Sequence, residues 1–189
     1  MNKIRRWRKF GKSRILAENN GRRLVDRSYI NPYNNQVVDF TLFDSSRTSV
    51  IIFPLTASLE IIVARQFRPA IGQITLELPG GNIDSEDKEL IVTARRELLE
   101  ETGYRADKFI QLPGRLWLDP STCTPYVYSF LALDCRKIRM PKIDENEHIE
   151  TVTLPLKSWM RMVSSGKISD MKTVAITLLA TSILEKRGR

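Results

Sequence analysis

At 189 residues the chain can bury a real core, and its length suits one domain or one domain with a small appendage. Its 42% hydrophobic and 28% charged content is ordinary for a folded domain, and no apolar run has the length of a bilayer span. The formal charge of +8 invites nucleic acid, yet no RNA-binding signature accompanies it, so nucleic-acid binding is disfavoured.

The basic start, Met1 to Phe10, lacks the apolar stretch of a secretory signal. Cys123 and Cys135 have the spacing of neither a disulfide framework nor a metal site, and a cytoplasmic location is the default expectation. Much of the positive charge falls between Lys3 and Arg27. Such an arm reads as a solvated face, a polyanion site or a lure for a charged nucleotide. Turn clusters at Asn19-Asn20-Gly21 and Asn31–Asn35 break this region into short strands, and the second cluster predicts a hairpin of Arg23–Ile30 with Gln36–Phe43. So small a sheet has too little core to stand alone, and it should pack on the main domain or on a second copy of the chain. The boundary is expected at Asp44–Arg47, giving an N-terminal strand region over 1–48 and a main domain over 49–189.

Beyond it, Ser49–Leu55 and Leu59–Arg65 predict buried strands, Gln66–Gly72 a loop, and Ile74–Leu78 a strand entering a Pro79-Gly80-Gly81 turn. Leu90, Ile91, Val92 and Ala94 recur on a helical period, and Gly103 stops that helix. Strands are expected at Phe109–Leu112, Arg115–Leu118, Tyr126–Leu133 and Val152–Leu154, with a polar, acidic loop over Lys142–Glu150. A helix over Leu156–Ser165 and a closing helix over Asp170–Lys186, N-capped by Asp170, complete the chain. The mixed order argues an α+β fold with helices on a mixed sheet. Trp117 and Trp159 look like packing residues, Trp7 lies in the basic arm, and His148, the single histidine, reads as a loop residue.

Glu97, Glu100 and Glu101 stand at i, i+3 and i+4, which puts their carboxylates on one side of the helix with Cβ atoms roughly 5–6 Å apart. Clustered anions repel, so the chain must answer them with cations. Oxygen ligands without Cys or His nearby suit Mg²⁺ or Mn²⁺, which favour a carboxylate or two together with phosphate oxygens. The plain alternative is a solvated face paired to Arg95, Arg96 and Arg105.

The run from Arg96 to Tyr104 resembles the REUxEExGU half of the Nudix box, matching it at every specified position, with Gly81 as the glycine ahead of it. Counting back from Arg96, the first box glutamate would fall at Lys88 and the glycine at Asn82, so a one-residue insertion is inferred in the loop Asn82–Glu89. Glu89, Glu86 or Asp87 would replace the missing carboxylate, Glu89 first because it stands two turns before Arg96. Gln66-Phe67-Arg68-Pro69, Glu77–Gly81 and Pro120 extend the resemblance to the branch that cleaves ADP-ribose and other nucleotide sugars.

That resemblance implies a Nudix-type α/β/α sandwich, and an N-terminal region exchanged across a homodimer. It implies metal ligation by Glu97, Glu101 and the Gly80 carbonyl with help from Glu100, and it makes Gly81, Arg96 and Gly103 structural parts of the box. A general base is expected from the acidic loop, Glu147 first and Glu145 in reserve. Arg68 would contact substrate, or pair with Glu77; Phe40 would stack on a nucleobase, or sit in a core. The expected activity is Mg²⁺- or Mn²⁺-dependent hydrolysis of a nucleoside diphosphate sugar, ADP-ribose first. GDP-mannose or a dinucleotide is the second enzymatic reading, and a non-catalytic nucleotide- or RNA-binding module the rival class.

Overall fold

A computed structural model describes residues 3–45, 47–142 and 148–188 and divides the chain into two compact units, residues 1–48 with 117–126 and residues 49–116 with 127–189. The smaller unit is an antiparallel sheet of β1 (Arg8–Asn19), β2 (Arg22–Ile30) and β3 (Val37–Ser45), in that order. Asn20 and Gly21, at φ +48° and +75°, make the two-residue turn whose twist suits a hairpin. The second turn is held by side chains: Asn31 Oδ1 accepts from the Tyr33 N–H at 2.9 Å and Asn34 Oδ1 from the Gln36 N–H at 3.0 Å. The long β1 has no clean apolar alternation, since it is exposed nearly throughout and twice bulged against β2. The segment 117–126 of the same unit meets β3 through a bridge between Phe43 and Cys123.

The larger unit begins with β4 (Ser49–Thr56), β5 (Glu60–Arg68), β6 (Gln73–Glu77) and β7 (Gly80–Asn82). Then come α1 (Leu90–Thr102), β8 (Tyr104–Arg105), β9 (Lys108–Gln111) and β10 (Leu116–Trp117), where the chain leaves for the smaller unit. It resumes with β11 (Tyr126–Lys137), β12 (Ile149–Pro155), α2 (Leu156–Ser164) and α3 (Met171–Glu185). The strands β11, β4, β5 and β12 lie side by side; β11 and β4 are parallel and the remaining pairs antiparallel, so the sheet is mixed.

Every residue from Val50 to Leu55 is buried, because β4 is covered on both faces. Val50 and Ile52 pack with Ala94 and Leu98 of α1 and with Phe130 and Ala132 of β11. Ile51 and Phe53 alternate to the opposite face, the side that α3 covers. The buried Trp159 Nε1–H, donating to Thr177 Oγ1 at 3.0 Å, ties α2 to α3. The expected α+β sandwich of helices on a mixed sheet is the fold observed. In detail, β11 runs on to Lys137, β12 starts at Ile149, and β7 and β8 add short strands that the sequence does not announce. Both cysteines are free, and burial pushes the Cys135 thiol up to about 12.

One feature of this sheet positions the site. Hairpin partners β4 and β5 pair only at Leu55 and Ile61 and then part. Into the gap comes the segment 73–82, pairing first with β5, as far as Glu77 against Ala64, and then with β4, from Gly80 against Ile51.

Candidate active site

The crossover from Glu77 to Gly81 is pinned from three directions. The Pro79 carbonyl accepts from the Ile52 N–H at 2.8 Å, the Leu78 N–H donates to Thr173 Oγ1 at 3.1 Å, and the Gly80 N–H donates to Glu101 Oε2 at 2.9 Å. Gly80 is required by close approach to backbone, and Gly81 leaves the room that the Glu97 carboxylate fills. A Cβ on Gly80 would stand 2.2 Å from the Val50 carbonyl oxygen, and one on Gly81 would stand 2.3 Å from Glu97 Oε1.

Helix α1 faces this turn. Ala94 and Leu98 anchor it in the core, which leaves Glu97, Glu100 and Glu101 towards or beside the glycine strand. Gly103, at φ +75°, ends it with an N–H to the Leu99 carbonyl at 3.0 Å. The last carbonyls find partners from elsewhere: Lys142 N–H reaches the Glu100 carbonyl at 2.8 Å and Thr151 Oγ1 reaches that of Glu101 at 3.2 Å. The end of the helix that carries the carboxylates is therefore fixed by its own glycine cap and by two separate segments.

Arg96 is the electrostatic centre. Nη1 contacts Glu97 Oε1 at 2.9 Å and Glu100 Oε2 at 3.2 Å; Nη2 contacts Asp87 Oδ2 at 3.0 Å, Asp84 Oδ2 at 3.1 Å and the Asn82 carbonyl at 3.0 Å. Burial alone would lift the Asp87 carboxyl, but hydrogen bonds from Arg96 and Thr93 hold it below its ordinary range. At Glu97 the balance goes the other way: burial raises its carboxyl and the neighbouring Arg96 offsets only part of this. A further cation beside Glu97 would offset that burial cost.

The residues singled out in the sequence divide into groups. Gly80, Gly81, Arg96, Glu97, Glu100 and Glu101 come together at the junction of β7 and α1. Arg68, at the end of β5, makes the ion pair with Glu77, Nε to Oε1 at 2.7 Å and Nη2 to Oε2 at 2.5 Å, while its side chain stays 46% exposed. Phe40 lies on β3 in the smaller unit, edge-on to Trp7 and Tyr29 with ring centroids 5.6 and 5.8 Å away. Glu147 and Glu145 lie outside the described residues.

Of the three residues expected to replace the missing box carboxylate, Glu89, Glu86 and Asp87, the last is the one that contacts Arg96. Glu89 stands at the N-cap of α1 with no side-chain capping bond, and Asp87 pairs with Arg96 instead. Asp84 and Thr173 also belong to this neighbourhood, and no motif spacing marks either one.

The oxygen-only donor set fits a hard divalent cation, and the Gly81 position without a Cβ is the space into which Glu97 is pressed. Among the described residues no three acidic, His or Cys side chains already stand at metal-ligand spacing. Arg96 draws Glu97 and Glu100 to one side, and the Gly80 N–H draws Glu101 to the other. Glu97, Glu100 and Glu101 with the Gly80 carbonyl are the groups that could hold a metal, provided Arg96 gives up part of its hold.

A glycine turn wedged between parted strands, followed by a helix with this arginine and glutamate pattern, defines a Nudix hydrolase. The NUDIX domain model matches residues 45–168, well over half of the sequence, and the chain belongs to that family. It is 30% identical over 126 residues to the ADP-ribose pyrophosphatase of Bacillus subtilis, covering 66% of this chain and 67% of that protein. It is 28% identical over 144 residues to the GDP-mannose pyrophosphatase of Escherichia coli K12, covering 71% and 73% of the two chains. The crystal structure of an ADP compounds hydrolase superposes with a TM-score of 0.85 over the full length of both chains, at 20% identity, which speaks to the fold alone. No helix among the described residues is long and apolar enough to cross a membrane.

Proposed function

We propose that the chain hydrolyses the diphosphate bond of a nucleoside diphosphate sugar, ADP-ribose first, to AMP and ribose 5-phosphate. The observation that carries this reading is the set of carboxylates on α1 set against the Gly80-Gly81 backbone. The names of the two relatives, pyrophosphatases of ADP-ribose and of GDP-mannose, support the substrate class. GDP-mannose is the second substrate reading, favoured by the longer aligned span of the second relative.

Mg²⁺ or Mn²⁺, held by Glu97 and Glu101 with Glu100 and the Gly80 carbonyl, would neutralise diphosphate charge and acidify a water. The chain's own groups supply the rest. Arg68 offers the substrate a partly exposed guanidinium that Glu77 holds in one orientation. Glu147 is the base assigned to take the proton of the attacking water as the bridging P–O bond breaks, with Glu145 in reserve. Arg96 fixes Glu97 and Glu100 and so sets the spacing of the helix carboxylates. Phe40 is the proposed stacking surface for the base, and a homodimer that exchanges residues 1–48 would complete the pocket.

The test is a panel of ADP-ribose, GDP-mannose and a dinucleoside diphosphate with Mg²⁺ or Mn²⁺, read by phosphate release through an added phosphatase. ADP-ribose should give the highest kcat/KM. GDP-mannose ahead of it would favour the second reading, and release from none of them would reject the enzyme.

A further inference from the structure

In moving from β5 to β4 the chain leaves one ladder before it joins the next. Glu77 closes β6 and Gly80 opens β7, so Leu78 and Pro79 belong to neither strand. Pro79 has no N–H, which leaves Leu78 the one backbone donor of these two linking residues. That donor turns to Thr173 Oγ1, 3.1 Å away in the first turn of α3. Thr173 is 1% exposed and Leu78 5%, so bulk water has no access to take over the bond.

The acceptor is itself held. Asp170 caps α3 by accepting from the Thr173 N–H at 3.0 Å, and its other oxygen pairs with Lys172 Nζ at 2.5 Å. Thr173 lies beyond residues 45–168, the span matched by the NUDIX domain. The contact therefore joins a C-terminal helix outside the matched span to the backbone just ahead of the catalytic turn.

We propose that Thr173 is a positioning residue for the active site. Its hydroxyl fixes the Leu78-Pro79 crossover and thereby sets where the Gly80 N–H meets Glu101 and how closely Gly81 approaches Glu97. Val and Ser separate this role from packing, since valine keeps the shape without the acceptor and serine keeps the acceptor without the methyl group. The inference rests on the reading of Glu97 and Glu101 as functional carboxylates given above.

The experiment uses the full chain as wild type, Thr173→Val and Thr173→Ser. It measures kcat and KM on the diphosphate sugar that wild type consumes, and Mn²⁺ affinity of the substrate-free protein by electron paramagnetic resonance. Thr173→Val should lose about tenfold in kcat and about fivefold in Mn²⁺ affinity with KM within about twofold, because a small misplacement of the site costs turnover more than binding. Thr173→Ser should stay close to wild type on each measure. If the valine variant does not fold, Thr173→Ala carries the same test in a helix-favouring residue. Wild-type kcat and Mn²⁺ affinity in the variant that lacks the hydroxyl, or equal impairment of the serine variant, overturns the proposal. A wild-type protein with neither turnover nor Mn²⁺ binding rejects the functional reading itself, a different failure from either of these.

Discussion

Ile52, Leu98 and Trp159 of the larger unit are sealed from water, whereas Phe10, Ile15 and Leu24 on the three-stranded sheet remain 51%, 52% and 42% exposed. Val25 is the single buried hydrophobic of that sheet among the described residues. The difference is one of layers. The larger unit covers both faces of its sheet with helices, while three strands without a helix cannot bury their own apolar side chains. The same contrast gives the proposed second copy of the chain its physical motive, since exposed apolar strands are stabilised by being covered.

The sharpest way to break this comparison is to truncate matched apolar residues in the two units. Leu98→Ala should cost about 3 kcal/mol in urea unfolding, in line with a fully buried leucine that leaves a cavity. Phe10→Ala, measured in dilute protein, should cost less than about 1 kcal/mol. Equal losses would mean that the sheet has a core of its own. Next comes the ionic centre of the larger unit. Arg96→Met strands Asp87 and Glu97 without their shared cation, and it should destabilise the fold by about 2 kcal/mol, discounted because the guanidinium is partly exposed.

The smallest effect concerns Glu77. Burial alone would raise its carboxyl, but the hydrogen bonds from Arg68 and Thr75 win, so its pKa in the folded protein lies below the ordinary 4.5. A depressed carboxylate contributes stability that is complete above the unfolded pKa and lost as pH falls through 4.5 towards the folded value. Glu77→Gln should therefore flatten the acid limb of the stability curve and leave its slope near neutrality unchanged. A slope below pH 4.5 identical to wild type would show that the Arg68 pair contributes nothing.

The sequence carried the larger unit well because its signals are local. Helix α1 announced itself by apolar period and by Gly103, and the Asp170 cap by its position before α3. The carboxylate spacing on α1 was visible for the same reason: a helix fixes the geometry of residues i, i+3 and i+4. Strand β1 gave no such signal, since exposed strands need no alternation. Thr173 was hidden for another reason. The Leu78 N–H reaches Thr173 where β4 and β5 have parted, a place in the sheet that no residue spacing announces. That contact is created by topology rather than by spacing. The structure also realises part of the plain alternative, since Arg96 does pair with Glu97 and Glu100.

The most direct test compares wild type with Glu101→Gln on ADP-ribose in the presence of Mg²⁺. The substitution keeps the side chain's size and an acceptor oxygen for the Gly80 N–H, while it removes the charge and turns the other oxygen into an amide donor. Wild type should release AMP, and the variant should lose about a hundredfold or more in kcat while its melting temperature stays within a few degrees. Undiminished AMP release by the Gln variant would contradict the claim that the α1 carboxylates carry the chemistry.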